Sequence, residues 1–347
     1  MGINIYETAT MLEALRQTPP VHTFLRDTFF NNPKFAKTEK ALIDIIKGGV
    51  SAAPFVAPRV NGVLETRRGY TTNEITTPRV APKRVLTGED LEKRQPGDNT
   101  YTTKSPDQIA AEMLMQDLIE MDQEITLSEE WLCAKVLLGS SFDITEYDES
   151  GKEAGTFNVD FGFTNKISVA TAKKWTAEGV NPIEQIEEWI EKNILTKSSA
   201  TPDIILLDPD AGKTFANNSF VKEIIQLRAQ AGSFAEAQYK GRGVTSYGRF
   251  TKYGIEVVSY SNIVKANGVA EQLLPKGTCI IAQSGSGNIT YGAITQKENG
   301  KWVKYMEKRV PKYSVDDEKE IDTERLASRP LPWMPDVDSY VVATGVC

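Results

Sequence analysis

The stretch from Ser105 to Gly139 constrains the fold of this chain more than any other, because it carries the longest continuous helical signal. Ser105 is placed to accept a hydrogen bond from an early backbone N–H. Pro106 suits the first helical position, where a missing N–H costs nothing, and Gln108 completes a capping box. Apolar residues then recur at Ile109, Met113, Leu114, Leu118, Met121, Ile125, Trp131, Leu132, Val136 and Leu137, in steps of three and four that mark one buried stripe. Gly139 is the natural stop. The spacing predicts a helix of roughly 50 Å at about 1.5 Å per residue, with a kink or brief interruption at Ile125–Thr126. Its other face is acidic: Asp107, Glu112, Asp117, Glu120, Asp122, Glu124, Glu129 and Glu130 stand against Lys135 alone. A solvated face on a core helix is the simpler account. A surface waiting for a basic partner is the alternative.

The rest of the chain sets limits on function. Its 347 residues, 25% of them charged and with a net charge of −7, fit a globular protein of about two domains. No apolar run approaches the roughly 18 residues of a membrane span, and Met1 to Leu15 lacks the layout of a signal peptide. Cys133, Cys279 and Cys347 are too far apart in sequence for a metal motif or a disulfide framework, which predicts free thiols in a reducing compartment. One histidine, His22, excludes most His-based triads and zinc sites. The acidic balance argues against a dedicated nucleic-acid binder, whose affinity is largely phosphate neutralisation.

In chain order, residues 1–50 read as an arm with two short helices, Thr8–Leu15 and Thr38–Ile46, and too little apolar surface for a core of its own. Residues 51–100 read as extended chain at Ala53–Val60, Val63–Thr66 and Thr76–Leu86. Pro54, Pro58, Pro78 and Pro82 exclude a central strand there. The pattern is a long two-stranded excursion that needs a partner, since an isolated hairpin is marginal in water. Phe142–Tyr147 and Thr156–Phe161 flank a turn at Asp148-Glu149-Ser150-Gly151. Residues 166–290 alternate helix (169–178, 182–194, 210–215, 219–231) with strand (203–207, 254–259, 278–282), as a compact α/β domain does. The remainder returns to strand at 302–306 and 339–346, around a charged loop at 314–323 and a rigid turn at Arg329-Pro330-Leu331-Pro332.

Catalytic motifs fail on inspection. Asp210-Ala211-Gly212-Lys213-Thr214 follows a strand, as the end of a phosphate loop does, but Leu207 stands where that loop needs its first glycine. Gly285-Ser286-Gly287-Asn288 precedes a strand rather than a helix, so it is a tight turn. Asp208 is placed to cap a helix, and Asp316/Asp317 lie in a solvated charge run. The chain offers no convergent catalytic set, no cofactor motif and no metal-ligand spacing.

The order of these stretches resembles the lambda-type major capsid proteins of tailed bacteriophages, the major capsid protein E family. The matching residues are Phe55-Val56-Ala57-Pro58, Arg68-Gly69 with Pro78 and Pro82-Lys83, Ile204-Ile205-Leu206-Leu207-Asp208-Pro209, Leu274-Pro275 with Thr290-Tyr291-Gly292, and Arg329-Pro330-Leu331-Pro332 with Pro335-Asp336. The resemblance implies the α+β capsid fold of the Hong Kong 97 type. It divides the chain into an N-terminal arm (1–50), an extended E-loop hairpin (51–104), a P-domain with a long spine helix and β hairpin (105–165), an α/β A-domain (166–290) and C-terminal P-domain strands (291–347). The implied role is a virion shell of pentamers and hexamers around double-stranded DNA, assembled in the host cytoplasm without sequence-specific DNA binding. Its implied partners are further copies of the chain, a separate scaffolding protein, a portal and, where one is used, a decoration protein. Two other readings stand beside it, an encapsulin-like nanocompartment and an α/β enzyme on residues 166–290. The enzyme requires a pocket with convergent polar groups.

Charge suggests how copies meet. Residues 51–104 carry nine Lys/Arg against six Asp/Glu, and residues 105–150 carry one Lys against twelve Asp/Glu. In the resembled fold the first segment crosses a neighbour's copy of the second. The expected intersubunit contacts are therefore Phe55, Val56, Arg67, Arg68 and Arg84 of the loop with Glu120 and Glu124 of the spine.

Overall fold

The protein is described by a computed structural model that covers Thr8, Met11 and residues 23–46, 48, 69–92, 105–139, 141–230, 238–241, 243–250, 252–266, 269–298, 300–316, 318 and 320–347. One helix, Pro106–Leu137, runs unbroken for 32 residues, roughly 48 Å at about 1.5 Å per residue. Its start is the expected capping box: Gln108 N donates to Ser105 Oγ at 3.3 Å and Ser105 N donates to Gln108 Oε1 at 3.1 Å. The expected kink at Ile125–Thr126 is absent, because both side chains are packed away, Ile125 in a core cluster and Thr126 under Arg309. Gly139 ends the helix with φ +62°, and a Cβ there would lie 2.0 Å from the Phe163 ring.

The centre of the molecule is a seven-stranded sheet in the order Lys166–Ser168, Val341–Thr344, Thr278–Ala282, Ile204–Leu207, Glu256–Tyr260, Val244–Arg249, Gln238–Gly241. Its inner strands are apolar on both faces, as a sheet covered on both sides requires. Ile205, Leu207, Val257, Cys279, Ile281, Val341 and Ala343 face the helices Pro182–Trp189, Pro209–Asn217 and Ser219–Gln230. Leu206, Val258, Ile280 and Val342 face the other way, onto the last turns of the long helix (Leu132, Val136, Leu137). Asp208 caps helix Pro209–Asn217 through Asp210 N and Ala211 N, and also accepts from Thr278 N, tying two strands to one helix start. The strand Val341–Thr344 sits inside this sheet, so a boundary at 290/291 does not separate the α/β unit from the segment that follows it.

Three expected elements differ. The stretch 38–46 is not a helix: Lys40–Ile46 is a strand paired antiparallel with Tyr70–Thr76. Its alternation, Ala41, Ile43 and Ile45 inward with Lys40, Leu42 and Asp44 outward, has period two and packs one face on the core. The two strands thus bracket residues 47–69. The stretch 169–178 holds only a 3₁₀ turn at Thr171–Lys173, because Trp175 is pulled into the core, its backbone N–H on Val346 O and its indole N–H on Gln185. The expected charged loop 314–323 is instead a hairpin of Val310–Asp316 and Ile321–Ala327, and Lys83–Thr87 joins it as a third strand. The proline pair Pro330 and Pro332 lies in an outer strand, Pro330–Trp333, of a three-stranded sheet with Asn288–Tyr291 and Asn32–Phe35, where prolines cost no central pairing.

The three cysteines are free. Cys133 and Cys279 are buried, and burial raises both thiols far above their ordinary range; Cys347 is half-buried and less perturbed. The thiolate is the reactive species. Thiol labelling of the native, unassembled chain at pH 8 is therefore expected to reach Cys347 alone, and labelling in denaturant all three. Rapid native labelling of a second cysteine would contradict this packing.

Candidate functional site

The long helix does not present one solvated acidic face. Glu129 and Glu130 are both completely covered and organise the meeting of three parts of the chain. Glu129 takes Arg309 Nη1 at 2.6 Å and Arg26 Nη1 at 2.9 Å. Arg309 also binds Asp122 at 2.6 Å and donates to Thr126 Oγ1 at 3.0 Å. Burial works against charge on Glu129, but Arg309 overcomes it and holds the carboxyl below its usual range. Glu130 does different work. It accepts from Leu25 N at 2.8 Å and Arg26 N at 2.9 Å, and from the Tyr260 hydroxyl at 2.9 Å. Thr23 makes no side-chain cap for the helix Phe24–Phe29, and Glu130 takes over the orphan N–H groups. Burial still raises the Glu130 pKa despite these bonds.

Both glutamates were readable. Glu129 lies four residues after Ile125 and three before Leu132, and Glu130 lies three before Cys133, so both fall on the buried stripe rather than opposite it. Their partners, Arg26 and Arg309 for Glu129 and the Leu25 and Arg26 amides with Tyr260 for Glu130, come from more than 100 residues away and left no local signal.

Arg84, expected to reach a neighbouring copy, is bound within its own chain. Strand Lys83–Thr87 lies beside the helix, and Arg84 reaches Asp117 and Glu120 at 2.6 Å each and Glu124 at 3.3 Å. Burial opposes the charge of Arg84, but its hydrogen bonds to Glu120 and Asp117 more than restore it, and Arg84 in turn holds Glu120 below its usual range. The three pairs are partly solvated and contribute at most about 1 kcal/mol each. Glu120 and Glu124, expected to meet a neighbouring copy's loop, here gather around the chain's own arginine. Phe55, Val56, Arg67 and Arg68 lie outside the described residues.

Beside the Arg84 cluster, and sharing Glu120 with it, runs an open groove of about 670 Å³ lined by Ala111, Glu112, Met115, Gln116, Ile119, Glu120 and Gln123. Its floor is apolar and its rim acidic. The hairpin that carries the excursion is also exposed outward: Leu42 is 73% exposed and Tyr70 69%. A second cleft, of about 480 Å³, lies between the 175–180 loop and helix Pro209–Asn217. There Asn218 donates to Trp175 O and Val180 O and so ties loop and helix together, while Thr214 donates to Asp210 O within the helix.

The sequence profile of the family "Phage major capsid protein E" matches residues 7–344. The major capsid proteins of Escherichia phage lambda and Escherichia phage N15 are each 25% identical to the chain, covering 98% of it and 98% of their own length. Among solved structures, a prophage protein of E. coli CFT073 assigned as a capsid protein shares the fold with a TM-score of 0.68 at 15% identity, over 97% of this chain and 98% of that one. The capsid of cyanophage P-SCSP1u gives 0.51 at 10% identity, over 94% and 91%. The match thus extends along nearly the whole chain in both sequence and fold. The chain belongs to the phage major capsid protein E family: it is a structural subunit of the virion shell, not an enzyme.

Proposed function

We propose that this subunit self-assembles as pentamers and hexamers into an icosahedral shell enclosing double-stranded DNA, and that residues 47–69 clasp a neighbouring copy. The observation that carries the clasp is the ribbon Lys40–Ile46/Tyr70–Thr76, which holds both ends of that segment at one place and presents Leu42 and Tyr70 to solvent. Phe55 and Val56 suit the apolar floor of the groove at Met115 and Ile119 on the neighbour's helix, and Arg67 and Arg68 suit its acidic rim. Arg84 is withdrawn from this contact, since it neutralises Asp117, Glu120 and Glu124 in its own chain. On this reading 1–50 is an arm, 51–104 an intersubunit loop, 105–165 with most of 291–347 a peripheral unit, and 166–290 an axial one completed by strand Val341–Thr344. A separate scaffolding protein, a portal and, where one is used, a decoration protein are the partners it carries, with assembly in the host cytoplasm. The net charge of −7 suits a wall that leaves packaged DNA free to move.

Deleting residues 55–68 behind a short glycine linker leaves both strands of the ribbon in place. The variant is expected to keep the urea midpoint of the unassembled chain and to form no shells in electron micrographs. Shells of normal size from the variant would remove the loop from the contact.

A further inference from the structure

Where the excursion returns to the body, the chain gathers cations without enough anions to match them. Lys83 pairs opposite Arg325 and Arg84 opposite Glu324, and Val80 bridges Ser328 in the same register. One residue further, that register sets Arg79 opposite Arg329. Side chains alternate along a strand, so Arg79, Lys83, Arg325 and Arg329 share one face of the ribbon, with only Ala81 and Ala327 between them. On its other edge Arg325 has Lys312 opposite it. Like charges directly opposite each other destabilise a sheet. The chain's own answers are few. Arg329 Nη1 reaches Glu39, itself 61% exposed, at 3.3 Å. Arg325 Nη2 donates to the uncharged Gln296 at 3.1 Å. Glu298, the acid near Lys312, already receives Thr8, Gln296 and Tyr305. Among the described residues, the Nε atoms of Arg325 and Arg329 are buried without an acceptor, and Arg79 has no ionic or hydrogen-bonding partner. Partial desolvation lowers the pKa of Arg79, whose side chain is still exposed, and of the half-buried Arg325, and each has a neighbouring arginine that adds to the effect.

A second surface has the opposite lack. The hairpin Phe142–Tyr147/Glu153–Val159 carries Asp143, Glu146, Asp148, Glu149 and Glu153 against Lys152, and every residue from 146 to 156 is exposed. Asp143 accepts from Asn158 and Asp148 from its own turn, but Glu146, Glu149 and Glu153 have no partner among the described residues. The outer half of this ribbon has no buried residue in its own chain, and an isolated ribbon is marginal in water.

We propose that the arginine face Arg79–Arg325–Arg329 of one subunit binds the carboxylates at the hairpin tip, residues 146–153, of a second copy. The proposal rests on assembly of the subunit into a shell, where copies lie side by side. A guanidinium edge holds a carboxylate through two parallel hydrogen bonds. The two surfaces differ, so the contact is head-to-tail and repeats around a closed ring. DNA phosphate has the same charge, but a second copy also gives the hairpin a surface to fold against.

Arg79→Glu and Glu149→Lys each change an exposed, unpartnered side chain in the full-length protein, and urea unfolding of both variants is expected to match the unmodified chain. Assembly followed by light scattering and electron microscopy is expected to slow about tenfold or more in either variant, since each places like charges in the contact. With both substitutions in one chain, the rate is expected to return to within a few-fold of the original. Unchanged rates in both single variants, or slowed rates without rescue, overturn the proposal. So does an Arg79→Glu variant that assembles normally but binds a duplex DNA fragment more weakly, which assigns the face to phosphate. Shells lost on deleting 55–68 but unaffected here overturn this contact and leave the loop clasp standing.

Discussion

Glu129→Ala is expected to lower the stability of the unassembled subunit by about 3–5 kcal/mol, the usual range when one partner of a buried ion pair is removed. The loss arises because Arg26 and Arg309 stay behind, buried, with Arg309 left only Asp122 as a counter-charge. Three regions come apart together at this point: the helix Phe24–Phe29, the long helix and the segment Lys308–Arg309. Urea unfolding of the monomer reads the change directly, and a loss under about 1 kcal/mol, the worth of a surface pair, would refute the role given to Glu129. Acid is expected to mimic the substitution. The Glu129 carboxyl is held below the ordinary glutamate value of 4.5 when folded. Its contribution is therefore complete above the unfolded pKa and disappears as the pH falls through the lower, folded one.

Glu324→Gln is expected to act in the opposite direction. Glu324 is 5% exposed, its Oε1 has no partner, and burial with the nearby Asp117 pushes its pKa up to about 8, against a lesser pull from Arg84. Asp322 and Tyr313 line the same small cavity. The folded state keeps the proton until about pH 8, whereas the unfolded chain releases it near the ordinary glutamate value of 4.5. Between those values the unfolded chain binds fewer protons, so stability falls as pH rises, by at most about 1.4 kcal/mol per pH unit. Glutamine reproduces the neutral form. The variant is expected to be the more stable chain at pH 8 by a few kcal/mol on the order set by that slope, with the decline between pH 5 and 8 flattened. An unchanged slope would mean that Glu324 is ionised in the folded state.

The sequence announced the elements whose signals are local. The capping box at Ser105 and Gln108, the stop at Gly139 and the cap at Asp208 all sit where short-range chemistry put them. The apolar runs Ile204–Leu207 and Thr278–Ala282 read as buried strands because both faces of their sheet are covered. Failures came where a distant contact outweighs local preference. Lys40–Ile46 has helix-compatible composition, but its period-two burial is decided by Tyr70–Thr76, a strand met only across the excursion. The charged residues at 314–323 look like a loop until Lys83–Thr87 is seen to pair beside them. Charge counting found an acidic helix and a basic loop and joined them between copies. Arg84 and Arg309 show that part of that attraction is already satisfied inside one chain, something a sum of charges over a segment has no means to tell.

The strand Val341–Thr344 lies between Lys166–Ser168 and Thr278–Ala282, in the interior of the central sheet and close to the end of the sequence. During synthesis, the two strands that will flank it emerge first and wait with an unfilled slot and uncovered apolar rows. Closing that slot joins residues more than 170 positions apart, a slow kind of step. A chain that stops before residue 341 lacks the strand that joins Lys166–Ser168 to the rest of its sheet and remains a substrate for chaperones and proteases. Synthesis past residue 344 thereby becomes a condition for competence. In a container built of many identical parts, where one defective plate opens the wall, the fold itself inspects each part before it is used.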